Sequence, residues 1–156
     1  MIEFRPLDEA DLPRLRVWLE REHVRRWWRE PVEDELREDR DGRFVIVVDG
    51  RDAGMIQTYL VADEPEWGVI VGAEPGLAGV DFLIGEEELI GRGLGPQVLA
   101  QFARNVVFAR PGTTALVATV EEPNRRSWRA FEKAGFHHVR DVVEDGLPHR
   151  LMRLDS

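Results

Sequence analysis

The sequence predicts a mixed β-sheet with helices packed against it. Three observations carry that reading. Runs that alternate apolar and polar residues are interleaved with runs whose apolar residues recur at helical spacing. Asp49-Gly50 sits between two strand-like runs as a hairpin signal, which rules out a purely parallel sheet. The last two strand-like runs also form a pair, joined through EDGLP at residues 144–148.

The elements follow one another closely, without repeats, low-complexity tracts or linkers, as expected of a single domain over residues 1–156. IEFRPL (2–7) is a first strand. DEADLPRLRVWLERE (8–22) carries Leu12, Leu15, Val17, Trp18 and Leu19, mostly on one helical stripe. VEDELREDRDG (32–42) has the look of a short, highly charged helix closed by Gly42. RFVIVV and RDAGMIQTYLVA flank the hairpin signal. In EPGLAGVDFLIG (74–85), Ala78, Val80, Phe82 and Ile84 alternate on one strand face.

IGRGLG (90–95) then places three glycines directly before a proline and a helical pattern, with Val98, Leu99, Phe102, Ala103 and Val106 as the stripe to be buried. TTALVATV (113–120) is a further strand. NRRSWRAFEKAG (124–135) is a helix with Asn124 at its start and Gly135 just past its end. FHHVRDVV and HRLMRL form the closing strand pair.

Composition narrows the function. The chain has no cysteine, which excludes disulfides and thiolate metal sites and fits a reducing cytoplasm. His137 and His138 are neighbours in a strand, facing opposite sides, and make a poor metal site. No apolar run approaches a bilayer span, and MIEFRPLDEA lacks the pattern of a signal peptide. Thirty acidic residues against 21 basic ones give a net charge of -9, which repels nucleic acid and anionic membranes and favours a cationic small molecule.

The glycine knuckle has two readings. A helix N-terminus offers unpaired N–H groups and the positive end of its dipole, and glycines let a bulky anion approach. Gly91, Gly93 and Gly95 suit that, with Arg92 as a mobile cation between them. The same residues also suit a tight strand-to-helix turn with Pro96 at the first helical position. No Lys-Ser/Thr follows the last glycine, so this is not a nucleotide P-loop, and the chain order does not fit a dinucleotide fingerprint.

IGRGLGPQVLAQFARNVVF, followed by EPNRRSWRAFEKAGF, resembles the acetyl-CoA site of the GNAT superfamily of N-acetyltransferases. WLEREHVRRWW, IQTYLVADEPEW and PGLAGVDFLIGEEELIGRGLG extend the likeness, in the same order, to the aminoglycoside 6′-N-acetyltransferase branch. The resemblance implies a GNAT fold: a mostly antiparallel mixed sheet of six to seven strands flanked by helices and splayed in the middle for acetyl-CoA. It assigns the pyrophosphate to the backbone of Arg92, Gly93, Leu94 and Gly95, and the pantetheine arm to Phe82, Leu83 and Ile84 with Asn124. Asn124 equally suits a helix N-cap.

Three positions depart from the family pattern. Ile90 stands where a Gln or Arg is usual, Pro96 removes one N–H, and Phe131 replaces the tyrosine often found near the leaving thiol. Tyr59 is the only tyrosine.

Asp81 is the expected catalytic carboxylate. It is a charge within an apolar strand, and the resemblance places the family's catalytic aspartate there. Thr119 falls where aminoglycoside enzymes tend to carry a second acid, with Glu121 and Glu122 nearby and Glu64, Glu66 and Glu74 flanking the acceptor region. Trp28, Tyr59, Trp67 and Glu121 are the expected substrate contacts; aromatic walls stack on sugars or hold cations.

The expected activity is acetyl transfer from acetyl-CoA to a primary amine, first the 6′-amine of an aminoglycoside, by direct attack with a carboxylate base, in a monomer or homodimer and without a metal. A siderophore precursor, polyamine or peptide N-terminus is an alternative acceptor. An acyl-CoA-binding module without catalysis is the alternative class.

Overall fold

The computed structural model describes residues 1–30, 32 and 41–156. The charged helix expected over 32–42 lies largely outside them. The sheet has seven strands in the order β1-β2-β3-β4-β5-β7-β6. These are β1 (Ile2–Pro6), β2 (Arg43–Val48), β3 (Arg51–Leu60), β4 (Leu77–Ile84), β5 (Ala115–Glu121), β6 (His137–Glu144) and β7 (Leu147–Asp155). Backbone proximity divides the chain into two compact units, Met1–Gln57 with Phe82–Arg92, and Thr58–Asp81 with Gly93–Ser156. No helix among the described residues is long and apolar enough to cross a membrane.

In the first unit, β1 and β2 pair antiparallel, as do β2 and β3. The β2–β3 turn has left-handed backbone at both Asp49 (φ 49°) and Gly50 (φ 81°), the combination a two-residue hairpin turn needs. A capping box at Asp8 and Asp11 opens a short 3-10 turn, followed by α1 (Leu12–Glu20) and α2 (Glu22–Arg25). Leu15, Trp18 and Leu19 of α1 close over Val45, Met55 and Leu83, and Trp28 packs against the same core.

In the second unit, β5 pairs antiparallel with β7, and β7 with β6. The parallel register between β4 and β5 is short: Leu77, Ala78 and Gly79 against Ala115, Leu116 and Val117. It stops before Val80 and Asp81. A short helix, α3 (Pro65–Val71), forms where the sequence carries no helical stripe; Pro65 starts it and Gly72, at φ 86°, ends it.

The helix after the glycine knuckle, α4 (Leu94–Phe102), begins two residues earlier than the pattern suggested, so Pro96 takes its third position rather than its first. Its continuation is a π-helix, Ala103–Val107. The wider π turn inserts one extra residue, so Val107 is fully buried where α-helical spacing pointed to Val106. The last helix, α5 (Arg125–Lys133), has Asn124 at its N-cap and Gly135 beyond its end, as the sequence indicated.

Candidate active site

Of the expected residues in the second unit, Tyr59 lies near the end of β3, Asp81 within β4, Glu121 at the end of β5 and Trp67 on α3. β3 places Thr58 and Tyr59 beside Gly79 and Asp81 of β4. Thr58 Oγ1 donates to the Gly79 carbonyl at 2.8 Å, fixing the two backbones. The Tyr59 hydroxyl donates to Asp81 Oδ2 at 2.8 Å. Gly79 permits this closeness, because a Cβ there would lie 2.6 Å from the Tyr59 ring and 2.8 Å from the Trp67 ring. These two rings pack with centroids 5.6 Å apart at 60°.

Burial does most to hold the Tyr59 phenol well above its usual range, reinforced by the charge and hydrogen bond of Asp81 and by the charges of Glu144 and Glu64. The phenol therefore stays protonated at neutral pH and donates permanently. A coenzyme A thiol titrates near 8.5 by analogy with cysteine. Tyr59 is a weaker acid than the group it would have to protonate, so its chemistry here is to hold Asp81.

Sequence reasoning missed Glu144. Its Oε1 accepts from Trp67 Nε1 at 2.8 Å and from Thr119 Oγ1 at 2.8 Å, and Trp67 Nε1 also lies 3.1 Å from Thr119 Oγ1. Thr119 is thus not an acid but carries one, supplied by a strand 25 residues further along the chain. Only the β5–β7–β6 pairing brings it there. Behind it stands His149 of β7, buried, with its Nε2 3.7 Å from Glu144 Oε2. Glu121, the last residue of β5, is half-buried and opposite His149 in the strand register.

Other expected residues fall into different settings. Glu74 is tied to Arg153 Nη2 at 2.6 Å. In the first unit, Trp28 belongs partly to the core of α1 rather than standing as an open wall. The Ile84 carbonyl already accepts from His23 Nε2 at 2.9 Å, and Leu83 is buried. Phe131, at the usual tyrosine position, is buried edge-to-face on Phe136 with centroids 4.9 Å apart.

At the knuckle, Gly93 is the N-cap of α4 in left-handed backbone (φ 74°), and a side chain placed there or at Gly91 would meet nothing within 4 Å. The N–H groups of Gly93, Leu94 and Gly95 lie in the first turn, where no intrahelical acceptor exists. Pro96 falls in the same turn, where no intrahelical acceptor exists, so the helix ladder loses nothing by it. Asn124 makes no capping bond with its side chain. These are open, donor-rich features that suit a phosphate chain and an amide-containing arm.

The family model described as "Acetyltransferase (GNAT) domain" matches residues 8–143. The chain belongs to the GNAT acetyltransferases. Within that family it is similar to the aminoglycoside N(6′)-acetyltransferases type 1 of Klebsiella pneumoniae and Serratia marcescens, at 24% identity over 160 residues, covering 94% of this chain and 79% of theirs. Its fold is similar to that of the aminoglycoside acetyltransferase AAC(6′)-Ib solved with coenzyme A and kanamycin, with a TM-score of 0.89 and 25% identity over 99% of this chain and 95% of that one. The spermidine N-acetyltransferase of Vibrio cholerae, solved with CoA and spermine, shares the fold at a TM-score of 0.73 and 15% identity, over 99% of this chain and 95% of that one.

Proposed function

We propose that this GNAT enzyme transfers the acetyl group of acetyl-CoA to a primary amine of a cationic small molecule, with the 6′-amine of an aminoglycoside as the first acceptor. The observation that carries the reading is the constellation of Asp81 held by Tyr59 and Glu144 held by Trp67 and Thr119. Two carboxylates and two aromatic rings in one unit make a site for a charged amine on an otherwise apolar frame. The names of the similar enzymes, which act on aminoglycosides, support the same acceptor.

Acetyl-CoA supplies a thioester, an acyl group already activated toward attack by nitrogen. The chain's part is placement and proton transfer. The N–H groups of Gly93, Leu94 and Gly95 hold the pyrophosphate, and the Asn124 side chain contacts the pantetheine arm. Glu144 binds the incoming ammonium. Asp81 accepts one of its protons and frees the nitrogen lone pair to form the new C–N bond; as the C–S bond breaks, the leaving thiolate takes up the second proton that the acetylated nitrogen sheds. Tyr59 keeps the Asp81 carboxylate facing the amine throughout. Trp67 walls the acceptor, with Glu121 as an outer contact.

We read residues 1–156 as one acetyltransferase domain working in the cytoplasm, where acetyl-CoA is available. The test is release of free thiol from acetyl-CoA against aminoglycosides, polyamines, hydroxylysine-type siderophore precursors and short peptides. Release with 6′-amino aminoglycosides and none with 6′-hydroxyl analogues is the expected result. Turnover confined to another amine would move the acceptor, and binding of acetyl-CoA without any turnover would replace the enzyme by a binding module.

A further inference from the structure

We propose that Trp128, covered by the Arg150 guanidinium, is a positioning residue for acetyl-CoA: it fixes the turn that presents the Asn124 side chain to the pantetheine arm. The inference rests on the arm contact proposed for Asn124 above. It extends that contact to two side chains to which neither the sequence pattern nor the comparisons give a role.

Asn124 stands at the N-cap of α5, where an asparagine ordinarily turns its side-chain oxygen back onto a first-turn N–H. Here the side chain makes no such bond, and the backbone, at φ -81° and ψ 62°, lies outside the extended region usual for a cap. The helix start is closed by the main chain instead. The Asn124 carbonyl accepts from the N–H groups of Ser127 and Trp128 at 3.1 and 3.2 Å. The side-chain amide is therefore not committed to the cap, and something else must hold the turn.

That hold acts two residues earlier. The Glu122 N–H donates to the Pro148 carbonyl of β7 at 3.0 Å, and the Glu122 carbonyl accepts from Trp128 Nε1 at 3.0 Å. Glu122 is thus tied to β7 on one side and to α5 on the other. Only Pro123, with its fixed φ, separates it from Asn124. The Arg150 guanidinium, two residues beyond Pro148 on β7, lies over the Trp128 ring at 4.2 Å from the centroid, well within cation–π range. Its Nη1 is 3.9 Å from Glu122 Oε2, while its Nε is buried without a hydrogen-bond partner among the described residues. The stack is thus the close contact that places this side chain. One strand supplies both the main-chain anchor of the turn and the cation that keeps the indole in line with the Glu122 carbonyl. An amide held in place in this way loses less freedom on bonding to an amide of the arm than a mobile one.

Trp128→Phe keeps a ring beneath Arg150 and removes the donor to Glu122. Calorimetric titration should show coenzyme A binding about threefold to tenfold more weakly, the size of one hydrogen bond. 3′-Phosphoadenosine 5′-diphosphate keeps the nucleotide end and lacks the arm, so it should bind as to wild type, which also reports that the variant is folded. Arg150→Met keeps the stem, removes the cation and should act in the same direction. In turnover, KM for acetyl-CoA should rise while KM for the acceptor holds.

The deciding measurement is a double-mutant cycle with Asn124→Ala. In that background neither substitution should weaken coenzyme A further, because the group they position is gone. Losses that add in full, or equal losses for coenzyme A and the nucleotide, would make Trp128 a general anchor of the fold and overturn the proposal. So would wild-type affinity in Trp128→Phe beside a weakened Asn124→Ala. Unchanged coenzyme A affinity in Asn124→Ala would remove the arm contact itself, and the proposal with it.

Discussion

Asp81 and Tyr59 illustrate how much of the chemistry is settled by a single contact. A carboxylate in the middle of an apolar strand is costly unless a partner or a function compensates it, and here a buried phenol donates to it at 2.8 Å. Asp81→Asn keeps the shape and removes the proton acceptor, so acetyl transfer should fall on the order of 10²-fold with acetyl-CoA affinity retained. Wild-type turnover in that variant would remove Asp81 from the base role. Tyr59→Phe should lower kcat through a less well-held Asp81, not through loss of an acid. Because burial and neighbouring carboxylates raise the phenol well above its usual range, it is protonated at every pH at which the enzyme works. The pH–rate profile should therefore contain no limb from Tyr59 below about pH 10. A limb there that disappears in Tyr59→Phe would contradict the assignment.

At the level of elements, the glycine knuckle and its helix form the most local device in the chain. Gly93 adopts φ 74° with open space where a side chain would stand. Gly93→Val is therefore disfavoured by backbone strain rather than by collision, at about 1–3 kcal/mol. Relieving that strain rotates the first-turn N–H groups. Calorimetric titration with coenzyme A should show clearly weaker binding, and unchanged affinity would refute the role of the knuckle in holding the pyrophosphate. The π turn that follows is a reminder that period is set by packing as well as by sequence. One inserted residue moved the buried position from Val106 to Val107. The short helix α3 escaped sequence reasoning for a related reason: seven residues with an internal glycine carry too little periodicity to be distinguished from loop.

For the whole molecule, net charge sets the salt response. A chain at -9 attracts a polycation and repels the phosphates of coenzyme A. Raising ionic strength from about 0.05 to 0.5 M shortens the screening length severalfold. KM for an aminoglycoside should then rise while KM for acetyl-CoA holds or falls. Initial rates at several salt concentrations check this, and parallel changes in both constants would point to a different origin.

The sequence by itself determined the order and type of most elements, because alternation, helical spacing and turn residues such as Asp49-Gly50 act over a few residues. It also determined the donor-rich helix start, since three glycines ahead of a helical run are legible without any long-range contact. Asp81 was legible too, as a charge in an apolar strand. The tertiary structure decided the convergence proposed as the acceptor end of the site. Trp67, Thr119 and Glu144 lie far apart along the chain, and nothing local to any of them signals a partner. Strand pairing in the order β4-β5-β7-β6 brings the acid from β6 to Thr119 on β5, and β7 places the imidazole behind it. Local chemistry writes elements into sequence; side-chain convergence depends on register, which only the folded sheet fixes.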